Sequence, residues 1–296
     1  MNLTVALCTK NRIKDLTNCL ISISKQQNIS KKDIEILIID DGEIDKEKQK
    51  ELQSICEGYD FSYFKKTSPG LFRSRLEAIK RAKSDKILFL DDDVEIDKNY
   101  IKILLDTYAK FPNAAGVGGV DMLLPDYSFF RKLYSILFLY HSNDKSKLSL
   151  SMMNSSMYLW KSQKEPFVSQ YLDGCNMSFR KEALKEAKFQ DYFNSYSLGE
   201  DIYFSLIASQ KGDLIVNPAL KVKHFKSPLS RDRVENVAFM KVVNHYKLLS
   251  LSKRGNYKYL TIWWTYIGYI LASLLKGDFE EIKGYLKGIK YLAKKI

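Results

Sequence analysis

Residues 86–94 read Lys-Ile-Leu-Phe-Leu-Asp-Asp-Asp-Val. An apolar run this short and this uniform suits a strand covered on both faces, as in a parallel sheet packed between helices. Three carboxylates follow where such a strand leaves the sheet. Adjacent anions repel, so stability alone does not place Asp91, Asp92 and Asp93 side by side. A divalent cation removes the repulsion, and closely spaced oxygen ligands suit Mg²⁺ or Mn²⁺. A solvated acidic turn is the competing explanation, and the rest of the chain decides between them.

Residues 3–8 form a first apolar run that stops at Thr9-Lys10-Asn11-Arg12. Ile13, Leu16, Leu20 and Ile23 then recur at helical spacing. A second buried strand over 34–39 ends in Asp40-Asp41-Gly42. Helix over 46–56, strand over 61–64, helix through 75–82 after Pro69-Gly70, helix over 99–110 and strand over 115–123 complete the first half. Alternation of this kind predicts a doubly wound, mostly parallel α/β sheet, in which ligands bind beyond the carboxyl ends of the strands. Three polar loops, 9–12, 40–41 and 91–93, thereby converge on one edge.

The second half is less regular. An aromatic helix is expected over 129–140, a polar mobile loop over 145–156, and helix over 181–187. Another helix follows Leu198-Gly199-Glu200-Asp201, and two short strands, 214–216 and 220–222, lead to His224. Between Tyr259 and Leu275 no residue is charged, and Trp263, Trp264, Tyr266 and Tyr269 lie inside the interval, with Lys258 and Lys276 at its ends. A full span needs roughly 20 apolar residues. The stretch therefore reads as a helix in the membrane interface, with a span or a helix packed in the protein as alternatives. Lys283, Lys287, Lys290, Lys294 and Lys295 extend the basic tail.

Charge bears on partners. Lys and Arg outnumber Asp and Glu by 47 to 35, a formal charge of +12 in 296 residues, which favours anionic partners such as nucleotides or an acidic membrane surface. Cys8, Cys19, Cys56 and Cys175 show no paired spacing, so neither a zinc site nor a disulfide framework is expected. A reducing compartment and the absence of a secretory signal together predict a cytoplasmic protein, peripheral on the cytoplasmic membrane face.

The ordered set Thr9-Lys10-Asn11-Arg12, Ile39-Asp40-Asp41-Gly42, Ser74-Arg75 and Leu90-Asp91-Asp92-Asp93 resembles the donor half of family 2 glycosyltransferases with the GT-A fold. Gly174-Cys175-Asn176-Met177-Ser178-Phe179-Arg180, Gly199-Glu200-Asp201 and His224 are similar to that family's acceptor half. Departures are Cys8-Thr9-Lys10 where Pro-Thr-Tyr is common, Gly42-Glu43 for Gly-Ser, and Leu76 after Arg75 where Asn is usual. The resemblance implies domain limits of 1–226 (nucleotide-sugar half 1–124, acceptor half 125–226) and a helical C-terminal extension, 227–296.

Carried over, it implies that Thr9, Asn11, Arg12, Asp91 and Asp92 border the nucleotide sugar. Asp41 would accept the N3 hydrogen of uracil, and Arg75 would face the base or diphosphate. Asp91, Asp93 and His224 would hold Mn²⁺ or Mg²⁺, and Gly174 and Asn176 would shape the acceptor and sugar pocket. Asp201 resembles the catalytic base, with Glu200 the alternative. Apart from the resemblance, Arg231 and Arg233 follow Ser227-Pro228 in a segment that could close over diphosphate or touch an anionic acceptor. The implied activity is metal-dependent, inverting transfer from a nucleotide sugar, expected to be a UDP-sugar, to a hydroxyl of a glycan or lipid-linked acceptor, with no nucleic-acid partner.

A sugar-1-phosphate nucleotidyltransferase shares a similar sheet but carries a Gly-rich phosphate loop, and 9–12 contains no glycine. A non-catalytic basic membrane or nucleic-acid binder fits the net charge but leaves 91–93 unexplained, since carboxylates repel phosphate unless metal intervenes.

Overall fold

The computed structural model describes residues 1–190, 193, 197–229, 232–252 and 254–294. Arg231 and Lys295 lie outside them.

Four parallel strands form one half of a mixed sheet: β1 (Leu3–Thr9), β2 (Ile34–Asp40), β3 (Asp60–Lys65) and β4 (Lys86–Asp91). The strand order is β3-β2-β1-β4-β8-β6-β9-β5. The further strands are β5 (Val94–Ile96), β6 (Ala114–Asp121), β7 (Phe167–Ser169, paired only with β9), β8 (Asn176–Arg180) and β9 (Asp213–His224). β8 runs antiparallel to both β4 and β6, while β6 and β9 are parallel. The uniformly apolar strands are covered on both faces, as their pattern requires. In β4, Ile87 and Phe89 enter one apolar layer, and Leu88 and Leu90 enter the other.

Helices α1 (Ile13–Ser24), α2 (Lys46–Ile55) and α4 (Tyr100–Lys110) contribute Leu16, Leu20, Leu52, Ile101 and Leu104 to one layer. Helices α3 (Leu71–Arg81) and α6 (Glu200–Ala208) cover the opposite face. Phe72 of α3 meets Tyr203 and Phe204 of α6 at ring-centroid separations of 5.3 and 5.2 Å. Aromatic pairs of this kind contribute about 0.5–1.5 kcal/mol each beyond area burial. They fix α3 against α6 within one turn of Arg75 and of Glu200.

The remaining helices are α5 (Phe129–Leu137), α7 (Val234–Leu251), α8 (Lys258–Lys276) and α9 (Phe279–Ala293). Tyr266 and Tyr269 of α8 and Tyr285 of α9 lie in the same buried layer as Phe72 and Met177, so these helices extend that apolar layer. No described helix is long and apolar enough to cross a membrane.

Three expectations change. The polar stretch 145–156 is irregular but packed: Ser149, Ser151, Met152 and Met153 are buried, and Thr265 of α8 hydrogen-bonds Ser151. The 181–187 helix shrinks to one 3-10 turn, Lys181–Leu184. The strands expected at 214–216 and 220–222 are one strand, β9. Pro218 lacks an N–H but sits at a register shift in the β6–β9 ladder, where no donor is required, so the strand continues through it.

Candidate active site

The parallel strands β1, β2 and β4 deliver Thr9, Asp40-Asp41 and Asp91 to the same sheet edge. β9 arrives there by a different route. His224 ends β9 directly opposite Val94 in the antiparallel β5–β9 pair, so register alone sets the imidazole beside 91–93. Asp121, at the end of β6, accepts the backbone N–H of His224 at 3.2 Å and fixes that strand end.

His224 Nε2 lies 3.2 Å from Asp93 Oδ1 and 3.8 Å from Asp91 Oδ2. One donor atom from each of the three residues fits within 4.8 Å of the others. Asp93 Oδ1 is buried and accepts no well-directed hydrogen bond. Two carboxylate oxygens and one imidazole nitrogen form a donor set that a divalent cation satisfies. Burial opposes charge on Asp93, yet His224, Arg12 and the Ser227 N–H outweigh it and hold its pKa down at about 2. Burial likewise opposes charge on His224, but Asp93 and Asp91 push its pKa up to about 9.

Asp92 is placed otherwise than expected. β4 ends at Asp91, and Asp92 lies in the turn before β5, fully buried, while Asp91 and Asp93 approach His224. Thr9 Oγ1 donates to Asp92 Oδ2 at 2.6 Å, Arg12 Nε donates to the same oxygen at 3.1 Å, and a second Arg12 nitrogen pairs with Oδ1. Burial nevertheless pushes its pKa up to about 7, against Arg12 and Thr9. Arg12 also reaches Asp93 Oδ2 at 3.2 Å. Thr9, Arg12 and Asp92 thus brace the carboxylate loop from behind. Asn11 is a brace too: its φ is +55° and its Oδ1 accepts the Glu43 N–H at 3.1 Å. Asp41, just past the end of β2, pairs with Lys66 at 2.9 Å and accepts the Gly70 N–H at 2.9 Å.

Arg75 does not face open solvent at the donor edge. It is 2% exposed and joins three elements: Asp91 Oδ1 at 2.9 Å, the Gly174 carbonyl at 2.8 Å, and Glu200. One guanidinium therefore ties a metal-site carboxylate to the start of α6. Removing it leaves two carboxylates without their cation. Arg75→Met is expected to cost about 3–5 kcal/mol of stability, read as a shift of the urea unfolding midpoint at unchanged slope.

Gly199 begins α6 at φ +90°, a conformation in which glycine is uniquely unstrained. It presents Glu200 and Asp201 in the first helical turn. Gly174 packs across from them, where an added Cβ would stand 3.3 Å from Asp201 Cβ and 3.4 Å from Glu200 Oε1. Asp201 Oδ2 accepts from Asn154 Nδ2 at 2.9 Å, and the backbone N–H groups of Asp201 and Ile202 at the start of α6 also favour the charged carboxylate. Burial pushes Asp201 up to about 6, with Asp173 adding to the rise. It pushes Glu200 up as well, while Arg75 pulls the other way.

Asp91, Arg75, Asp173, Gly174, Glu200, Asp201 and His224 line one cleft of about 280 Å³. Asn176 does not: it is fully buried in β8, and its Oδ1 accepts the Gly119 N–H of β6 at 3.1 Å. Sequence reasoning missed Asp173, Asn154, Lys66 and Lys241. Asp173 immediately precedes the 174–180 motif and was findable; the other three carried no local signal.

The glycosyl transferase family 2 model matches residues 4–187. The chain belongs to that family and is a glycosyltransferase. Among solved structures, PcManGT, a mannosyltransferase from Pyrobaculum calidifontis in complex with GDP-Man and Mn²⁺, is 13% identical, with 97% of this chain and 87% of that one covered and a TM-score of 0.63. S. aureus TarS 1–349 in complex with UDP-GlcNAc is 14% identical over 97% of this chain and 79% of that one, TM-score 0.61. GalNAc-T7 with UDP, GalNAc and Mn²⁺ is 18% identical over 88% and 53%, TM-score 0.56. These likenesses establish the GT-A fold. No curated protein matches the chain.

Proposed function

We propose that the chain transfers a sugar from a UDP-sugar to a glycan or lipid-linked hydroxyl with inversion, using Asp201 as base and a dication at Asp91, Asp93 and His224. The observation that carries this is the shared cleft: the three metal-donor side chains and Asp201 line or border one cavity, joined through Arg75. A dication there would neutralise the diphosphate as it leaves. The imidazole donor favours Mn²⁺ over Mg²⁺, which prefers oxygen ligands.

Asp41, an acceptor-only carboxylate when ionised, is suited to the N3–H of uracil. Asp201 is favoured over Glu200 because a base must present a free lone pair to the incoming hydroxyl. Glu200 is committed to Arg75, whereas among the described residues no cation pairs with Asp201. Asn154 orients the carboxylate through its other oxygen. A single base facing the acceptor requires no covalent sugar intermediate, which supports inversion.

With acceptor withheld, slow hydrolysis of one UDP-sugar in Mn²⁺ is the expected result from a panel of nucleotide sugars, abolished by EDTA. Equal hydrolysis in EDTA would contradict the metal assignment, and hydrolysis confined to GDP-sugars would contradict the uracil assignment.

The reading extends to an anionic membrane surface in place of a span. α8 buries Ile262, Tyr266 and Tyr269 and exposes Leu260, Trp264, Ile267, Leu271 and Leu275. α5 docks beside it through Tyr134 Oη to the Gly268 carbonyl and Trp264 Nε1 to the Leu137 carbonyl, both 2.7 Å. Phe129 and Phe130 of α5 are 74% and 80% exposed. Two adjoining apolar faces with Arg131, Lys132 and Lys276 nearby are the composition of an interfacial surface. Phe129→Ser/Phe130→Ser is expected to stop flotation with phosphatidylglycerol vesicles while UDP binding persists; flotation equal to that of the unaltered chain would refute the membrane contact.

A further inference from the structure

Behind the catalytic cleft lies a second cavity of about 470 Å³, walled by α5, α7, α8 and α9. The two share Ser155, Lys241 and Tyr269 and so adjoin at those residues. Tyr140, Tyr269 and Tyr285 stack in a row along this cavity, with successive ring centroids 4.7 and 5.3 Å apart. Lys241 Nζ stands 4.1 Å from the centroid of Tyr269, at the threshold between the cavities.

The charges do not balance. Arg131, Lys241 and Lys276 line the cavity, and none makes an ion pair among the described residues. The single carboxylate, Glu281, is already engaged by Ser273 Oγ at 2.5 Å and Tyr285 Oη at 2.7 Å. Three cations against one anion leave two positive charges uncompensated, the charge of a phosphate ester. Burial lowers the pKa of Lys241, with Lys276 adding to the fall against Glu281, so its ammonium gains from an arriving anion. Tyrosine faces and hydroxyls beside such cations suit a ligand with an apolar ring face, hydroxyl groups and a phosphate.

We propose that this cavity is the acceptor subsite and that it takes a phosphorylated glycan, with its sugar against the stacked tyrosines and its phosphate among Lys241, Arg131 and Lys276. The assignment rests on the glycosyltransferase reading above and adds the acceptor's chemical class. The reacting hydroxyl would then lie toward Asp201, one cavity away from the phosphate. Lys241, lining both, would position the acceptor without contacting the donor diphosphate.

The test titrates glucose 1-phosphate, glucose and inorganic phosphate into the full chain already saturated with UDP and Mn²⁺, so that the nucleotide site is filled. Glucose 1-phosphate is expected to bind at least tenfold more tightly than either of the other two. Lys241→Met is expected to lose at least tenfold of that affinity, and exposed Lys276→Gln several-fold, with UDP affinity unchanged in both. Equal binding of glucose and glucose 1-phosphate would overturn the proposal, as would inorganic phosphate matching the sugar phosphate. Native affinity in both variants would do the same. The UDP titration is read separately: its failure contradicts the nucleotide-sugar reading, whereas its success with no sugar-phosphate preference contradicts only the subsite.

Discussion

Asp201→Asn is expected to lower the rate of sugar transfer by about 10²–10⁴, the usual worth of a positioned general base, while leaving UDP affinity with Mn²⁺ unchanged. The substitution keeps the shape of the side chain and the contact with Asn154 but removes the lone pair that takes the acceptor's proton. In the unaltered chain, Asp201 titrates near 6 because burial disfavours its charge. A base works only when deprotonated, so transfer should fall about tenfold per pH unit below that value. The Asn variant should lose this acid limb. Glu200→Gln provides the control: it breaks the pair with Arg75 and is expected to reduce stability more than it reduces the rate per folded molecule. Full transfer activity in Asp201→Asn, measured with a cognate acceptor, would move the base elsewhere.

The second large effect belongs to the carboxylate loop. Outer-shell partners of metal sites typically cost about 10–100-fold in affinity when removed, so losing a direct ligand should cost at least about 100-fold. Asp93→Asn and His224→Ala are each expected to weaken Mn²⁺-dependent UDP binding by that amount, measured by calorimetry, and to reduce transfer in parallel. Asp92→Asn should behave differently. Its carboxylate faces Thr9 and Arg12 inside the protein, so it should lower the unfolding midpoint and change UDP affinity far less. Equal losses of UDP affinity at Asp92 and Asp93 would contradict the inward orientation of Asp92.

These contrasts show where sequence reading stops. The donor-side strands were legible because both faces of β1, β2 and β4 are covered, and such strands have few alternatives as continuous apolar runs. The meeting of Thr9, Asp41 and Asp91 at one edge followed from parallel topology. The inward orientation of Asp92 was not legible, because 92–93 form the turn between β4 and β5 and a run of three carboxylates does not say which of them a turn buries.

Asn176 and Asn11 sat in motifs yet serve the backbone of β6 and of the loop after β2. A side chain's type and spacing do not say whether it faces ligand or main chain. The polar residues of 145–156 looked solvated because their cover, α8, lies more than a hundred residues later. Lys241 gave no signal for a related reason: its environment is made by tyrosines of α8 and α9, and only the assembled helices leave it beside Tyr269 with no ion pair among the described residues.

The central claim, that the imidazole of His224 and the diphosphate share one dication, is tested most directly by pulsed electron paramagnetic resonance of Mn²⁺ with UDP. The account predicts both ¹⁴N modulation from a coordinated imidazole and ³¹P coupling from the nucleotide, with the nitrogen signal lost in His224→Ala. A Mn²⁺–UDP complex on the unaltered chain with phosphorus coupling but no imidazole nitrogen would contradict it.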